Sequence, residues 1–390
     1  MNRQLGALTG LRFAAAFFVV CFHFVHSRAA PDFVAALIEY GNRGVAFFFV
    51  LSGFILTYRY WESARPGAGF RREFWAARVA RVAPTYYLAL ILAIPLFVRE
   101  LVVVYGLAGE TLVAAIAIVG AATALMVQTL VPLVPVAHAL NSTAWTLSIE
   151  AVFYLVFPFF AVRVKRAPLA VLWALGFGGV AMLPVLEYAV VNVLPRSGEL
   201  LMFSANWAWR AHPFYQLPHF FAGVALGVAF LRQTGGSRAP GFWSRAAGPL
   251  TWVFSAASIA YFGLRGPAAA GVWDPMIAAV LFSALIWAFA FSRGSLARLL
   301  ESRAAQILGE ASYSLYILQM PLKVIAQQIY TKVLGVSDTG SGWFQLYLVS
   351  FLVLSSVAAY FWFERPAREK LRARFAVSSA GLQTRSKILS

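Results

Sequence analysis

The chain has 390 residues, 61% of them hydrophobic and only 12% charged, with a mean hydropathy of +0.73. Apolar stretches near bilayer-spanning length recur along nearly all of it, which leaves no room for a soluble domain of ordinary size. Lys and Arg number 32 against 15 Asp and Glu, a net charge of +17. They gather between the apolar runs, which points to positive-inside topology and contact with membrane lipids, with no nucleic-acid partner. The composition predicts an all-α polytopic transmembrane helical bundle.

The first span is predicted over residues 8–27. Arg3 ahead of an apolar stretch is also how a secretory signal begins. This stretch is long, carries Arg12 and His23 and lacks a small-residue cleavage site, so it is kept as a span. A guanidinium inside a span costs about 3 kcal/mol even on lenient insertion scales, which makes intramembrane ionisable residues functional-site candidates. Eleven residues at about 100° each return a helix to within roughly 20° of its starting face and, at about 1.5 Å per residue, separate the two groups by roughly 16 Å. Arg12 and His23 therefore share one stripe running from one membrane surface past the midplane, and His26 continues it. Cys21 is the single cysteine, so no disulfide or cysteine metal site forms within one chain.

Further spans are predicted near 43–60, 143–162, 168–190, 213–231, 248–264, 272–292, 311–331 and 343–363. The arginine-rich connections at 59–81, 163–166, 232–245 and 293–303, and the chain after 365, are assigned to the cytoplasmic side. Residues 132–142 then fall outside, so the stretch from 82 to 131 crosses an odd number of times. Three crossings need about 60 residues and only about 50 are available, so one crossing plus a re-entrant or interfacial segment between residues 82 and 131 is expected. Such backbone is tolerated only beside protein or a wet cavity, so it is expected to line a site. The total is about ten spans with both termini cytoplasmic: an integral domain over 1–365 and a basic tail over 366–390.

Glu150 is the second ionisable intruder. Counted from the outer end of its span it lies at the depth of His23, and a carboxylate beside an imidazole fixes its tautomer and stabilises the imidazolium formed when it accepts a proton. A histidine so held acts as a general base on a hydroxyl. The competing reading is a structural carboxylate paired with Arg12 or Arg43. Ser52 and Gly53 sit inside an apolar span, where small residues serve close helix packing. Arg78 and Arg81 stand one turn apart near Arg71 and Arg72, either as positive-inside anchors or as a clamp for the phosphates of a cytoplasmic ligand. The scattered histidines His138, His212 and His219 offer no metal-ligand spacing.

Six motifs in order give the chain its resemblance to a known family: Arg12 and His23 with ten residues between, Phe-Val-Leu-Ser52-Gly53-Phe54, Arg78-x-x-Arg81-x-x-Pro84, Trp145-Thr-Leu-Ser148-x-Glu150, Gly309-x-x-Ser312-Tyr313-x-Leu-Tyr316 and Phe363-Glu364-Arg365-Pro366. The sequence resembles the acyltransferase-3 family of membrane acyltransferases over almost its whole length. The resemblance implies transfer of an acyl group, usually acetyl, from cytoplasmic acyl-CoA as co-substrate to a hydroxyl of a glycan or other acceptor at the outer face of a bacterial inner membrane, with no permanently bound cofactor. It implies His23 as base, Glu150 and Arg12 as its catalytic partners, and a substrate-binding set of Arg71, Arg72, Arg78, Arg81, Ser52, Trp145, Ser148, Tyr313, Gln319 and His26. Gln319 is a departure: many relatives carry a histidine there, before the proline, and an amide supplies no titratable proton. Some relatives append an outer domain that delivers acyl groups, so a separate periplasmic helper or polysaccharide-assembly protein is an expected partner. Two other classes fit the same polar stripe, a transporter or flippase for a lipid-linked saccharide or small polar solute and a non-catalytic export component. No inverted symmetry between halves favours the transporter.

Overall fold

Hydrocarbon offers the backbone no hydrogen-bond partners, so runs as apolar as these fold as helices that satisfy their own amides. The computed structural model describes residues 5–25, 30–130, 140–193, 210–235, 242–265 and 273–375. His26, His138 and the tail from 376 lie outside the described residues. In chain order the helices are α1 (Gly6–Phe24), α2 (Asp32–Glu39), α3 (Gly44–Tyr60), α4 (Ala68–Val103), α5 (Gly109–Ala124), α6 (Trp145–Val164), α7 (Leu169–Trp173) and α8 (Gly179–Val193). They continue with α9 (Pro213–Thr234), α10 (Phe242–Arg265), α11 (Asp274–Phe291), α12 (Ser295–Leu300), α13 (Arg303–Gln328) and α14 (Gly342–Ala359). A 3₁₀ turn over Tyr40–Arg43 leads into α3, and a π turn over Tyr360–Glu364 carries α14 on as one helix through Phe375, across the 365/366 division read from the sequence.

Among the described residues nine helical segments are long and apolar enough to cross a membrane. α13 has 26 residues but carries Gln306, Glu310, Tyr313, Tyr316 and Gln319. It packs chiefly between α1 and α14; Gln306, Glu310, Tyr313 and Tyr316 line a cavity between the helices and Gln319 is fully buried. The structure is the polytopic all-α bundle that composition predicts.

The stretch from 82 to 131 resolves into a hairpin. α4 has 36 residues, about 54 Å of helix at 1.5 Å per residue, and α5 folds back along its second half. The Tyr86 hydroxyl donates to the Thr123 carbonyl at 2.6 Å and the Tyr87 hydroxyl to that of Ala124 at 2.9 Å. The chain then turns at Met126, whose φ is 57°, and Gln128 Nε2 donates to the Ala144 carbonyl at 3.0 Å, which seats the hairpin's end against the start of α6.

α9 is the most buried of these spans, and glycine lets α3 lie against it. A Cβ on Gly223 would stand 1.8 Å from the Val50 carbonyl oxygen, and one on Gly53 would stand 2.1 Å from that of Phe220. Only hydrogen fits at either place, the close helix packing expected of Gly53. The basic connections gather at one end of the bundle. Lys165 Nζ donates to the Ala64 carbonyl at 3.0 Å, and Arg232 donates to the carbonyls of Lys165 and Ala167. Gln306 Nε2 donates to the Gly6 carbonyl at 2.8 Å, and Arg368 lies beside Glu310, so the first and last described segments share one end.

Candidate active site

A cavity of about 640 Å³ opens at this basic end between α1, α3, α4, α6 and α13. Its lining runs from Leu5, Glu62 and Gln306 near the basic end to Val45, Thr146 and Tyr316 further into the bundle. Four arginines reach it: Arg12 from α1, Arg59 from α3, and Arg78 and Arg81 from α4. Arg78 is 6% exposed. Its guanidinium packs against the rings of Tyr60, Phe74 and Tyr154 at 5.5, 5.9 and 5.7 Å and donates to the Tyr60 hydroxyl at 3.2 Å, while Nε is buried without a partner. None of the four has a described carboxylate oxygen within 4.0 Å. Arg78 is buried, Arg12 and Arg81 are half-buried and Arg59 is exposed; a guanidinium withdrawn from water without a close counter-ion is costly, and a ligand anion removes that cost.

The acidic side of the cavity is built on α6. Glu150 Oε1 accepts from Ser52 Oγ at 3.3 Å and from the Tyr154 hydroxyl, one helical turn away on the same face. Tyr313, also in the lining, donates to the Val82 carbonyl at 2.8 Å and ties α13 to α4. Glu310 lines the mouth, and Glu364 accepts from Ser314 Oγ at 2.6 Å.

His23 stands apart from this cavity. Its Nδ1 lies 3.0 Å from Gln319 Oε1, and Gln319 Nε2 donates to the Tyr316 carbonyl at 2.8 Å. Because that carbonyl requires the amide nitrogen, Oε1 faces the histidine. Nδ1 then carries the proton and Nε2 keeps its lone pair. The cavity lining ends at Arg12 on α1 and at Tyr316 on α13. Phe48 and Tyr316 meet edge to face there, ring centroids 6.1 Å apart, beside Val19, which is 1% exposed.

The predicted site is therefore divided. Arg12, Ser52, Arg78, Arg81, Glu150 and Tyr313 are brought together; His23 and Gln319 form a second group nearer the opposite end. The expected pairing of Glu150 with His23 is not formed, because the chain has entered the bundle before α6 begins. Asn141 Nδ2 already donates to the Ile317 carbonyl at 2.9 Å, which places Glu150 deeper than a count from the helix start implies. Gln319 takes the orienting position instead. Arg71 lies over the Phe159 ring at 5.3 Å and Arg72 is exposed, both away from the cavity. Ser148 is fully buried, its Oγ 2.7 Å from that of Thr129, and Trp145 packs in the apolar core around Phe153, so neither shapes the cavity wall. His212 caps α9, its Nδ1 accepting from the Phe214 amide at 3.3 Å. Tyr154, Arg59 and Glu310 are the residues that sequence reasoning missed. The first was signalled by its place four after Glu150, and the last by the Gly309 motif that contains it.

Over 252 residues the chain is 29% identical to a protein described as "Acyltransferase MdmB" from Streptomyces mycarofaciens, a match covering 62% of this chain and 61% of that protein. The chain thus spans about six tenths of the length of this curated relative. No solved structure matches it. A family model described as an acyltransferase domain matches residues 5–365, nearly the whole of the described bundle, and the chain belongs to this family, acyltransferase-3.

Proposed function

We propose that the protein transfers an acyl group, acetyl by preference, from acyl-CoA held in the basic-end cavity to a hydroxyl of a cell-envelope or exported glycan at the opposite face. The reading places the basic end in the cytoplasm of a bacterium and the bundle in its inner membrane, following the gathered arginine-rich connections. The observation that carries it is the set of arginines at 12, 59, 78 and 81, which line one cavity without close carboxylate partners. The guanidinium fork matches phosphate oxygens in pairs, and a coenzyme A thioester is an anionic donor with a long neutral arm.

In this mechanism the donor's diphosphate sits on Arg78 and Arg81, and the pantetheine arm extends past Arg12 towards Phe48 and Tyr316. His23, oriented through Nδ1 by Gln319, uses Nε2 to take the proton of the acceptor hydroxyl. The alkoxide oxygen attacks the thioester carbonyl, the carbon–sulfur bond breaks, and the imidazolium returns the proton to the departing thiolate. Glu150, held by Ser52 and Tyr154 on the donor side, orients the arm where it leaves the arginines. The test is to give radiolabelled acetyl-CoA to membranes with wild-type protein or with the Arg78→Ala, Arg81→Ala double variant, and to follow label in envelope glycans. Wild type transfers label and the double variant loses at least about 100-fold, as expected on removing two charge-assisted contacts. A wild-type protein that neither binds acetyl-CoA nor labels any glycan overturns the reading.

A further inference from the structure

The helix that continues beyond α14 carries three pairs of charged residues at a four-residue spacing, Arg365/Glu369, Arg368/Arg372 and Lys370/Arg374, and they divide by face. Arg365 Nε pairs with Glu369 at 3.2 Å, so that face is neutralised within itself. Arg368 and Arg372 share another face one turn apart. The π turn at Tyr360–Glu364 inserts an extra residue into the helical repeat and re-aims the turns beyond it. Arg368 thereby comes to lie over the Tyr360 ring at 6.0 Å, with Nη1 3.8 Å from Glu310 Oε2. Glu310 is part of the cavity mouth, and the Tyr360 hydroxyl donates to the same oxygen at 3.2 Å.

Arg368 is held in place but not saturated. Its contact with Glu310 is longer than a hydrogen bond, its side chain is 13% exposed, and its Nε is buried with no partner. Arg372 is exposed, and it lies near enough to Arg368, Arg59, Arg78 and Arg81 to repel each of them. The arginines therefore form two ranks. Arg12, Arg59, Arg78 and Arg81 line the cavity; Arg368, beside Glu310 of that lining, and Arg372, one turn further on, stand outside it. A ligand with one phosphate centre satisfies only one rank.

We infer that Arg368 and Arg372 form a second phosphate subsite at the cavity mouth, which takes a phosphomonoester dianion set apart from the diphosphate: the 3′-phosphate of the coenzyme A nucleotide. This rests on the reading that the cavity holds acyl-CoA. The same chemistry is offered by an anionic lipid headgroup, and the experiment separates the two sources.

The full-length protein is placed in nanodiscs of neutral phosphatidylcholine, and the KM for acetyl-CoA is compared with that for acetyl-3′-dephospho-CoA. Wild type favours acetyl-CoA by about 10-fold or more, the scale of one charge-assisted phosphate contact. Arg368→Gln and Arg372→Gln each bring the ratio towards one by weakening acetyl-CoA alone. Arg372 is exposed, so its variant tests the subsite without disturbing the packing around Tyr360. Equal KM values in wild type, or equal loss of both donors in the variants, overturns the subsite while leaving the donor assignment standing. A preference that appears only after phosphatidylglycerol is added assigns the two arginines to lipid and likewise overturns it. Failure of wild type to use either donor removes the acyl-CoA reading and the subsite with it.

Discussion

Phe48 on α3 and Tyr316 on α13 meet edge to face, ring centroids 6.1 Å apart, where the cavity lining stops, and the Tyr316 carbonyl accepts from the Gln319 amide that faces His23. The two groups that the reaction needs, an anion-binding cavity and a free imidazole nitrogen, thus lie on either side of an aromatic pair. Phe48→Ala removes one ring, and water then reaches the thioester. In vesicles without acceptor, thiol release from acetyl-CoA is expected to rise several-fold, and the melting temperature to fall by an amount corresponding to about 3 kcal/mol. Unchanged thiol release refutes the separating role.

Gln319 is fully buried and connects the Tyr316 carbonyl to His23. Gln319→Leu keeps most of the volume and removes the acceptor that fixes the imidazole. The turnover number is expected to fall by about 10-fold to 100-fold, part of the roughly 10²- to 10⁴-fold that a positioned general base contributes, because the imidazole loses the acceptor that fixes its tautomer. The KM for acetyl-CoA stays near the wild-type value, because Gln319 does not line the cavity. A rise in KM with unchanged turnover contradicts the assignment.

Glu150 accepts from both Ser52 and Tyr154. Glu150→Gln preserves the shape of the side chain and removes the charge. Transfer is expected to fall by about 100-fold or more, in the range of a lost charged catalytic group, and Tyr154→Phe by a smaller factor. The comparison is made by single-turnover transfer from labelled donor. Loss of thermal stability with normal transfer in the surviving folded fraction reassigns Glu150 to assembly.

Gly223→Ala forces a methyl group to within 1.8 Å of the Val50 carbonyl oxygen. The contact is backbone, which cannot swing aside, so α3 and α9 must separate. The cost is expected to be about 3 kcal/mol, at the upper end for overpacking, and is read as a lowered melting temperature in detergent. Gly178→Ala, which meets nothing within 4 Å, is the control and leaves the melting temperature unchanged.

The bundle itself was legible because apolar runs of spanning length admit little but helix. α13 was found at 311–331 although its helix runs Arg303–Gln328, since its polar residues recur on a face that turns towards α1. The hairpin was seen only as a returning piece. Arg99, Glu100 and the positive-φ glycines Gly106 and Gly109 mark the break between the two helices, but nothing in the sequence shows that the first starts at Ala68 and runs 36 residues through the arginine-rich connection. In the site, intramembrane cations and Glu150 stood out by their cost in a span. Their partners did not. Depth counted along a single helix takes no account of Asn141 already lying at the level of Ile317, and a glutamine is silent in a search for titratable groups.

Gly41 gives the cavity its geometry. A Cβ there would stand 2.2 Å from the Phe18 carbonyl oxygen, so the turn before α3 is pressed onto α1 at the end remote from the arginines. Beyond that fulcrum the cavity lies between Arg12 on one arm and Ser52 and Arg59 on the other. Arg59 stands fifteen residues from Gly44, about 22 Å along α3, so a tilt of about 5° at the pivot displaces the mouth by roughly 2 Å. α3 is bound through backbone contact to α9, and a second glycine, Gly44, whose Cβ would stand 2.9 Å from the Ala15 carbonyl oxygen, holds its start against α1, so the angle between the two arms is set at side-chain-free contacts.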